Sequence, residues 1–110
     1  MTKADMRKEP RIARARKATL LIADQSVACV IQDLSMSGFL IMCTRPAFVG
    51  DVLELRCELY TGRVLNCKIQ VRRDAGDMCL GTEIVEVTDA GRRLCREFLE
   101  EHYSDRLKFG

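Results

Sequence analysis

With 110 residues, the chain is long enough for one small domain and too short for two of ordinary size. Its 47% hydrophobic and 31% charged residues are typical of a soluble globular protein, and no apolar run approaches the roughly 18 residues that a membrane-spanning helix requires. The first ten residues, MTKADMRKEP, lack the apolar stretch of a secretory signal, so we expect a cytoplasmic protein.

The net charge of +2 is distributed unevenly along the chain. Residues 1–17 contain seven basic and two acidic side chains, a local charge of +5, whereas residues 18–110 sum to −3. Such a basic segment on a mildly acidic body predicts an anionic partner. Pro10 disfavours helix at the residue before it, so we expect residues 1–16 to form an arm without regular structure.

Residues 17–87 are predicted to form six short β-strands, at about residues 18–23, 27–33, 38–44, 52–59, 64–72 and 78–85. The segments VLELRCEL and VLNCKIQVR alternate strictly between apolar and polar residues, which is typical of antiparallel strands with one solvent-exposed face. Closely spaced turns separate the strands. Because closure removes exposed edges, six such strands predict a small antiparallel β-barrel.

After residue 87 the apolar residues recur with helical spacing. Thr88 is a predicted N-cap for a helix over residues 88–104, with residues 105–110 as a tail. The apolar stripe of this helix should pack against the barrel, and it consists of Leu94, Cys95, Phe98, Leu99 and His102.

The six cysteines indicate neither a disulfide framework nor a zinc site. They lie at positions 29, 43, 57, 67, 79 and 95, without CxxC pairs, and five fall in apolar strand-like runs. We therefore predict reduced thiols packed in the core, with disulfides or a metal as the less favoured alternatives.

Little in the sequence supports catalysis. His102 is the single histidine, so no Ser/His/Asp or Cys/His set can be built without it, and its predicted role is packing or surface exposure. There is no P-loop, no GxGxxG motif and no metal-ligand cluster. We predict a protein that is not an enzyme and that has no cofactor or metal.

Two polar motifs remain after these exclusions. Arg7 and Arg11 form RxxxR in the basic arm, and Asp33, Ser35 and Gly38 form DxSxxG between two predicted strands. The second motif alone is explained by a tight turn, because Asp and Ser favour turns and Gly permits positive φ. Together the motifs suit a guanine joined to a phosphate: a carboxylate accepts from the guanine N1–H and amine, and arginine forks bind O6, N7 or phosphate.

The order EPRIARARKATL, VIQDLSMSGFLI, VRRDAGDMCLGTEI and a terminal helix resembles the PilZ domain family. The resemblance implies a six-stranded PilZ-type β-barrel that binds the bacterial second messenger cyclic di-GMP. The implied ligand-binding residues are Arg7, Arg11, Asp33, Ser35 and Gly38. Gly81 matches a recurrent glycine with a structural role. Ile84 and Ser37 depart from the usual Phe and Gly of the family without removing a ligand group.

The function implied by this resemblance is a cytoplasmic cyclic di-GMP receptor or adaptor that changes arm conformation or partner contacts on binding. The alternative is a PilZ-fold protein-interaction module that does not bind the nucleotide. Nucleic-acid binding through the basic arm is less favoured, because the body is acidic and aromatics are only 5% of residues. A downstream effector protein is expected and a homodimer is left open, as are the roles of Arg14, Arg16, Arg72 and Arg73.

Overall fold

The computed structural model describes the backbone of residues 11–12, 15–45 and 47–109, and the side chains of residues 15–45 and 47–102. Seven strands precede one helix: β1 (Arg11–Ile12), β2 (Arg16–Ile22), β3 (Gln25–Ser35), β4 (Gly38–Met42), β5 (Val52–Tyr60), β6 (Arg63–Gly76), β7 (Cys79–Val87) and α1 (Asp89–Phe109). All pairings are antiparallel, in the order β1-β3-β2-β5-β6-β7-β4, and a further β3–β4 pairing closes the sheet. Strands β2–β7 thus form the predicted six-stranded antiparallel barrel, with the predicted helix after it.

Two boundaries differ from those expected. Arg11–Ile12 and Arg16 belong to strands, although residues 1–16 were assigned to an arm without regular structure. The cause is not local, because β1 forms by pairing with Leu34 and Ser35 at the end of β3. Helix α1 continues to Phe109, through most of the assigned tail, since residues 105–109 contain no helix breaker.

The barrel core consists of the inward-facing residues that the alternation predicts. In β5 the buried residues are Leu53, Leu55, Cys57 and Leu59; in β6 they are Leu65, Cys67, Ile69 and Val71. Helix α1 packs against β1, β5 and β6 through the buried Leu94, Cys95, Phe98 and Leu99. Thr88 is the N-cap, because its Oγ1 accepts a hydrogen bond from Gly91 N at 3.0 Å. No helix among the described residues is long and apolar enough to cross a membrane.

The cysteines carry free thiols, and all but Cys79 are buried, as predicted. Burial raises the pKa of the thiols of Cys29 and Cys67 to about 12 and that of Cys57 to about 11. Because the thiolate is the reactive form, these three side chains behave as small hydrophobic residues.

Arg16, whose role was left open from the sequence, is not a fully solvated charge. Its Cζ lies 5.1 Å from the centroid of the Phe98 ring, and its Nε is buried without a hydrogen-bond partner in the described part of the chain. His102 also packs against this ring, with a centroid distance of 4.3 Å, so packing is observed of the two predicted roles, packing or surface exposure. Phe98 therefore joins β2 to the helix through a cation–π contact.

Two hairpin turns contain non-glycine residues in the left-handed region. Ala23 and Asp24 connect β2 to β3 with φ of 50° and 64°, and Asp77 and Met78 connect β6 to β7 with φ of 53° and 62°. Positive φ at both central residues defines the type I′ turn that suits two-residue hairpins. Alanine and methionine adopt it at a cost that glycine avoids.

Replacing Met78 by glycine should therefore stabilise the protein. The left-handed backbone costs a non-glycine residue about 1–2 kcal/mol, which glycine avoids. About half of this gain is lost again, because glycine has more conformational entropy in the unfolded state. We expect the free energy of unfolding to rise by about 0.5–1 kcal/mol in urea titrations followed by circular dichroism. Little burial is lost, because Met78 is 60% exposed.

The matched control has the opposite sign. Gly62 has φ of 75° and open space around its Cα, so Gly62→Ala tests backbone strain alone and should destabilise by about 1 kcal/mol. A Met78→Gly protein with an unchanged or lower urea midpoint would show that the turn carries no such strain.

Candidate functional site

The DxSxxG motif occupies the connection between β3 and β4, where Ser35 ends one strand and Gly38 begins the next. Ser35 is 1% exposed, and its Oγ accepts from Gly38 N at 3.3 Å and donates to Gly38 O at 3.2 Å. The serine hydroxyl thus closes the connection. The turn interpretation therefore explains Ser35 without any ligand. A second hydroxyl lies nearby, since the Oγ atoms of Ser35 and Ser37 are 3.4 Å apart.

Gly38 is required for a reason that the sequence did not indicate. It is not among the glycines with positive φ, so the expectation that it permits an unusual turn conformation is wrong. A Cβ on Gly38 would lie 2.0 Å from the carbonyl oxygen of Thr82 in β7. Ile84 N donates to Ser37 O at 2.7 Å beside it. Glycine allows β4 to approach β7 closely at the motif.

Asp33 lies on the outer wall of the barrel, one residue before the buried end of β3. A β-bulge between Ile31 and Asp33 shifts the register, so that Asp33 pairs with Leu40 and Leu34 pairs with Phe39. Leu34 and Phe39 are buried in the core, so the Asp33–Leu40 pair faces outward. The bulge therefore puts a half-buried aspartate, whose Oδ1 is buried, on the outer side of the wall near the motif serine.

The structure brings part of the RxxxR motif to this wall. Arg11 in β1 pairs directly with Ser35, so the backbone of one motif arginine lies beside the DxSxxG segment. Arg7 lies outside the described residues, as does Arg14, and the side chain of Arg11 is not described. Arg11 and the DxSxxG segment, 22 residues apart between Arg11 and Asp33, are therefore neighbours in the fold.

Consecutive arginines in β6 lie close to the motif wall, and their directions could not be inferred from the sequence. A bulge between Val71 and Arg73 interrupts the inside–outside alternation, and both Arg72 and Arg73 are exposed. Arg72 forms an ion pair with Glu83 of β7. Arg73 lies against Gly81, because a Cβ built on Gly81 would be 2.8 Å from the Arg73 Cγ. Alternation alone cannot detect such an arrangement.

The wall that carries the motif is an open surface, so a ligand there would be held by projecting side chains. A shallow concavity of about 560 Å³ adjoins Met36 and Ser37. The charged residues that line it are Glu83, Glu86 and Arg92. Glu83 is paired with Arg72, and Glu86 with Lys68 at 3.6 Å, so neither carboxylate is an uncompensated charge in this concavity. Among the described residues, no group of three or more His, Cys, Asp or Glu side chains is arranged to hold a metal ion.

Comparison with known proteins agrees with this fold. The family model of the PilZ domain matches residues 5–101. No curated protein matches the chain in sequence.

Solved structures share the fold at low sequence identity. YcgR of Escherichia coli in complex with c-di-GMP has a TM-score of 0.78 and 14% identity, over 93% of this chain and 48% of its own. The inhibitor of motility MotI (DgrA) of Bacillus subtilis has a TM-score of 0.76 and 14% identity, over 96% and 53%. The PilZ domain of CeSA from a cellulose-synthesizing bacterium has a TM-score of 0.65 and 18% identity, over 86% and 98%. The chain therefore spans about half the length of YcgR and MotI.

Proposed function

Since the chain belongs to the PilZ domain family, we propose that it is a cytoplasmic receptor for cyclic di-GMP that signals by a change of arm conformation or partner contacts. The proposed ligand-binding residues are Arg7, Arg11, Asp33, Ser35 and Gly38. The family membership is supported by likeness of fold to YcgR, which was solved with c-di-GMP bound.

The observation that carries the proposal is the pairing of β1 with the end of β3. It puts Arg11 opposite Ser35, two residues from Asp33, so that the arm enters the barrel wall at the DxSxxG segment. Arginines from the arm and the Asp33 carboxylate then approach a ligand from neighbouring strands. An arginine fork complements phosphate oxygens and the guanine O6 and N7, and a carboxylate complements the guanine N1–H and amine.

A receptor of this kind needs no catalytic group, cofactor or metal of its own. Binding would order the segment around Arg7 against the barrel, and the entropy cost of that ordering must be exceeded by charge-assisted contacts. A downstream effector protein would then read the changed arm or a change in subunit pairing.

Isothermal titration calorimetry of the full chain with cyclic di-GMP tests the proposal. We expect saturable binding at micromolar concentrations, and Arg7→Ala or Arg11→Ala should each weaken it by about 10- to 100-fold, as expected for loss of a charged hydrogen bond. Arg56→Ala, on the exposed face of β5 and away from the motif wall, is the matched control for loss of one arginine and should bind as the unchanged protein does.

Absence of binding heat by folded protein at low salt would contradict the receptor proposal. In that event the interaction-module alternative predicts capture of a partner protein that cyclic di-GMP does not alter. The internal hydrogen bonds of Ser35 are the feature that favours this alternative, because they give the serine a role in the absence of ligand.

A further inference from the structure

A continuous row of paired residues crosses the barrel wall from the DxSxxG motif to β6. Asp33 pairs with Leu40, Leu40 pairs with Gly81, and Gly81 pairs with Arg73. Paired residues of neighbouring antiparallel strands project on the same face of the sheet. The row Asp33–Leu40–Gly81–Arg73 therefore lies on one outer surface, with β1 and its arginine on the far side of β3.

Gly81 opens this row to the side chain of Arg73. An added Cβ at Gly81 would lie 2.8 Å from Cγ, 2.9 Å from Nε and 3.4 Å from Cδ of Arg73. The arginine stem thus covers the surface of β7 that a larger residue would occupy, and it extends from β6 across Gly81 as far as Nε. Apart from this contact, the side chain of Arg73 forms no ion pair or hydrogen bond within the described part of the chain.

The neighbouring arginine has a different environment. Arg72 is paired with Glu83, so its charge is already compensated on the protein surface. Both arginines are exposed and follow each other in the β6 bulge. Arg72 therefore takes part in an ion pair within the protein, whereas Arg73 is a planar cation without a compensating charge in the same row as Asp33.

We propose that Arg73 is an additional ligand-binding residue, which contacts the acceptor-rich side of the cyclic dinucleotide opposite Asp33; this inference rests on the proposed function. Three strand spacings of about 4.8 Å separate the backbones of Asp33 and Arg73, about 14 Å in all. The arginine side chain covers Gly81 and leaves the surface between it and Asp33, over Leu40, for a nucleobase and its phosphate. The ligand would then lie between Asp33 and Arg73.

Titration calorimetry with cyclic di-GMP distinguishes this inference from the proposed function. Arg73→Ala should weaken binding by about 10-fold or more, whereas Arg72→Ala, the matched loss of one positive charge in the same bulge, should change it by less than about threefold. Circular dichroism confirms that both variants fold. Equal effects of the two substitutions would indicate general electrostatic attraction and would overturn a specific contact.

Gly81→Ala gives a second readout that keeps the arginine. The added methyl group displaces the Arg73 stem, so this substitution should also weaken binding, and the double variant Gly81→Ala/Arg73→Ala should bind no more weakly than Arg73→Ala alone. Additive losses would overturn the proposed link between Gly81 and Arg73. If the unchanged protein binds and Arg73→Ala binds equally well, the inference fails and the receptor function stands; if the unchanged protein does not bind, both fail.

Discussion

Substitution of Gly38 by alanine is expected to destabilise the protein by about 3 kcal/mol or more, because it forces two backbones apart. The new Cβ would lie 2.0 Å from Thr82 O and 2.9 Å from Thr82 C, both main-chain atoms that no rotamer change can move away. Strands β4 and β7 would have to separate or shift register, and the adjacent hydrogen bond from Ile84 N to Ser37 O would be lost. Urea unfolding followed by circular dichroism measures the effect, since the chain has no tryptophan.

Gly81→Ala is the control for Gly38→Ala, since both add one methyl group to neighbouring strands of the same wall. At Gly81 the obstructing atoms belong to the flexible Arg73 side chain, so we expect a loss below about 1.5 kcal/mol. Similar losses at both glycines would show that strand approach at Gly38 is not the cause. Weak ligand binding by Gly38→Ala therefore reports first on the fold and does not identify a ligand contact.

Substitution of Asp33 by alanine is expected to weaken cyclic di-GMP binding by about 100-fold while the protein stays folded, because one charged acceptor is lost. The direction of the change is informative. Cyclic di-GMP carries two negative phosphodiesters, so removal of a nearby carboxylate should strengthen binding if Asp33 acts only through its charge. Weaker binding, measured by calorimetry, would identify a direct contact of the carboxylate with the ligand.

Glu54→Ala provides the matched loss of one negative charge. Glu54 is exposed on β5, away from the motif wall, and should leave binding unchanged within about twofold. Asp33→Asn preserves the shape of the side chain and should bind with intermediate affinity. An Asp33→Ala protein that folds and binds normally would remove Asp33 from the site.

The barrel was predictable from the sequence because its signal is local. Alternation in β5 and β6 identifies the inward residues one by one, and the change to helical spacing after Val87 identifies α1. Strand β1 was missed because two residues carry no periodicity, and only their pairing with Leu34 and Ser35 makes them a strand. The contact of Arg16 with Phe98 was also missed, because 82 residues separate them and only the fold brings them together.

The residues of the candidate site stay a prediction from the motifs, and the geometry around them was only partly predictable. The motifs identify which residues to consider, yet the reason for Gly38 is a contact with Thr82 on another strand. Likewise, Arg73 lies in one row with Asp33 only because three successive strand pairings and the bulge in β6 align them. Bulges break the two-residue period on which sequence reasoning depends, and both β3 and β6 contain one beside the site.

The β1–β3 pairing also limits how far the first motif arginine can be from the ligand. Arg7 is four residues from Arg11, whose backbone is fixed beside Ser35, so full extension separates their Cα atoms by at most about 14 Å. A tether of this length gives an effective concentration in the millimolar range or above, whatever conformation the intervening residues adopt. In the proposed receptor, capture of a docked messenger by Arg7 would thus be an intramolecular step, and its strength would not depend on how much protein the cell contains.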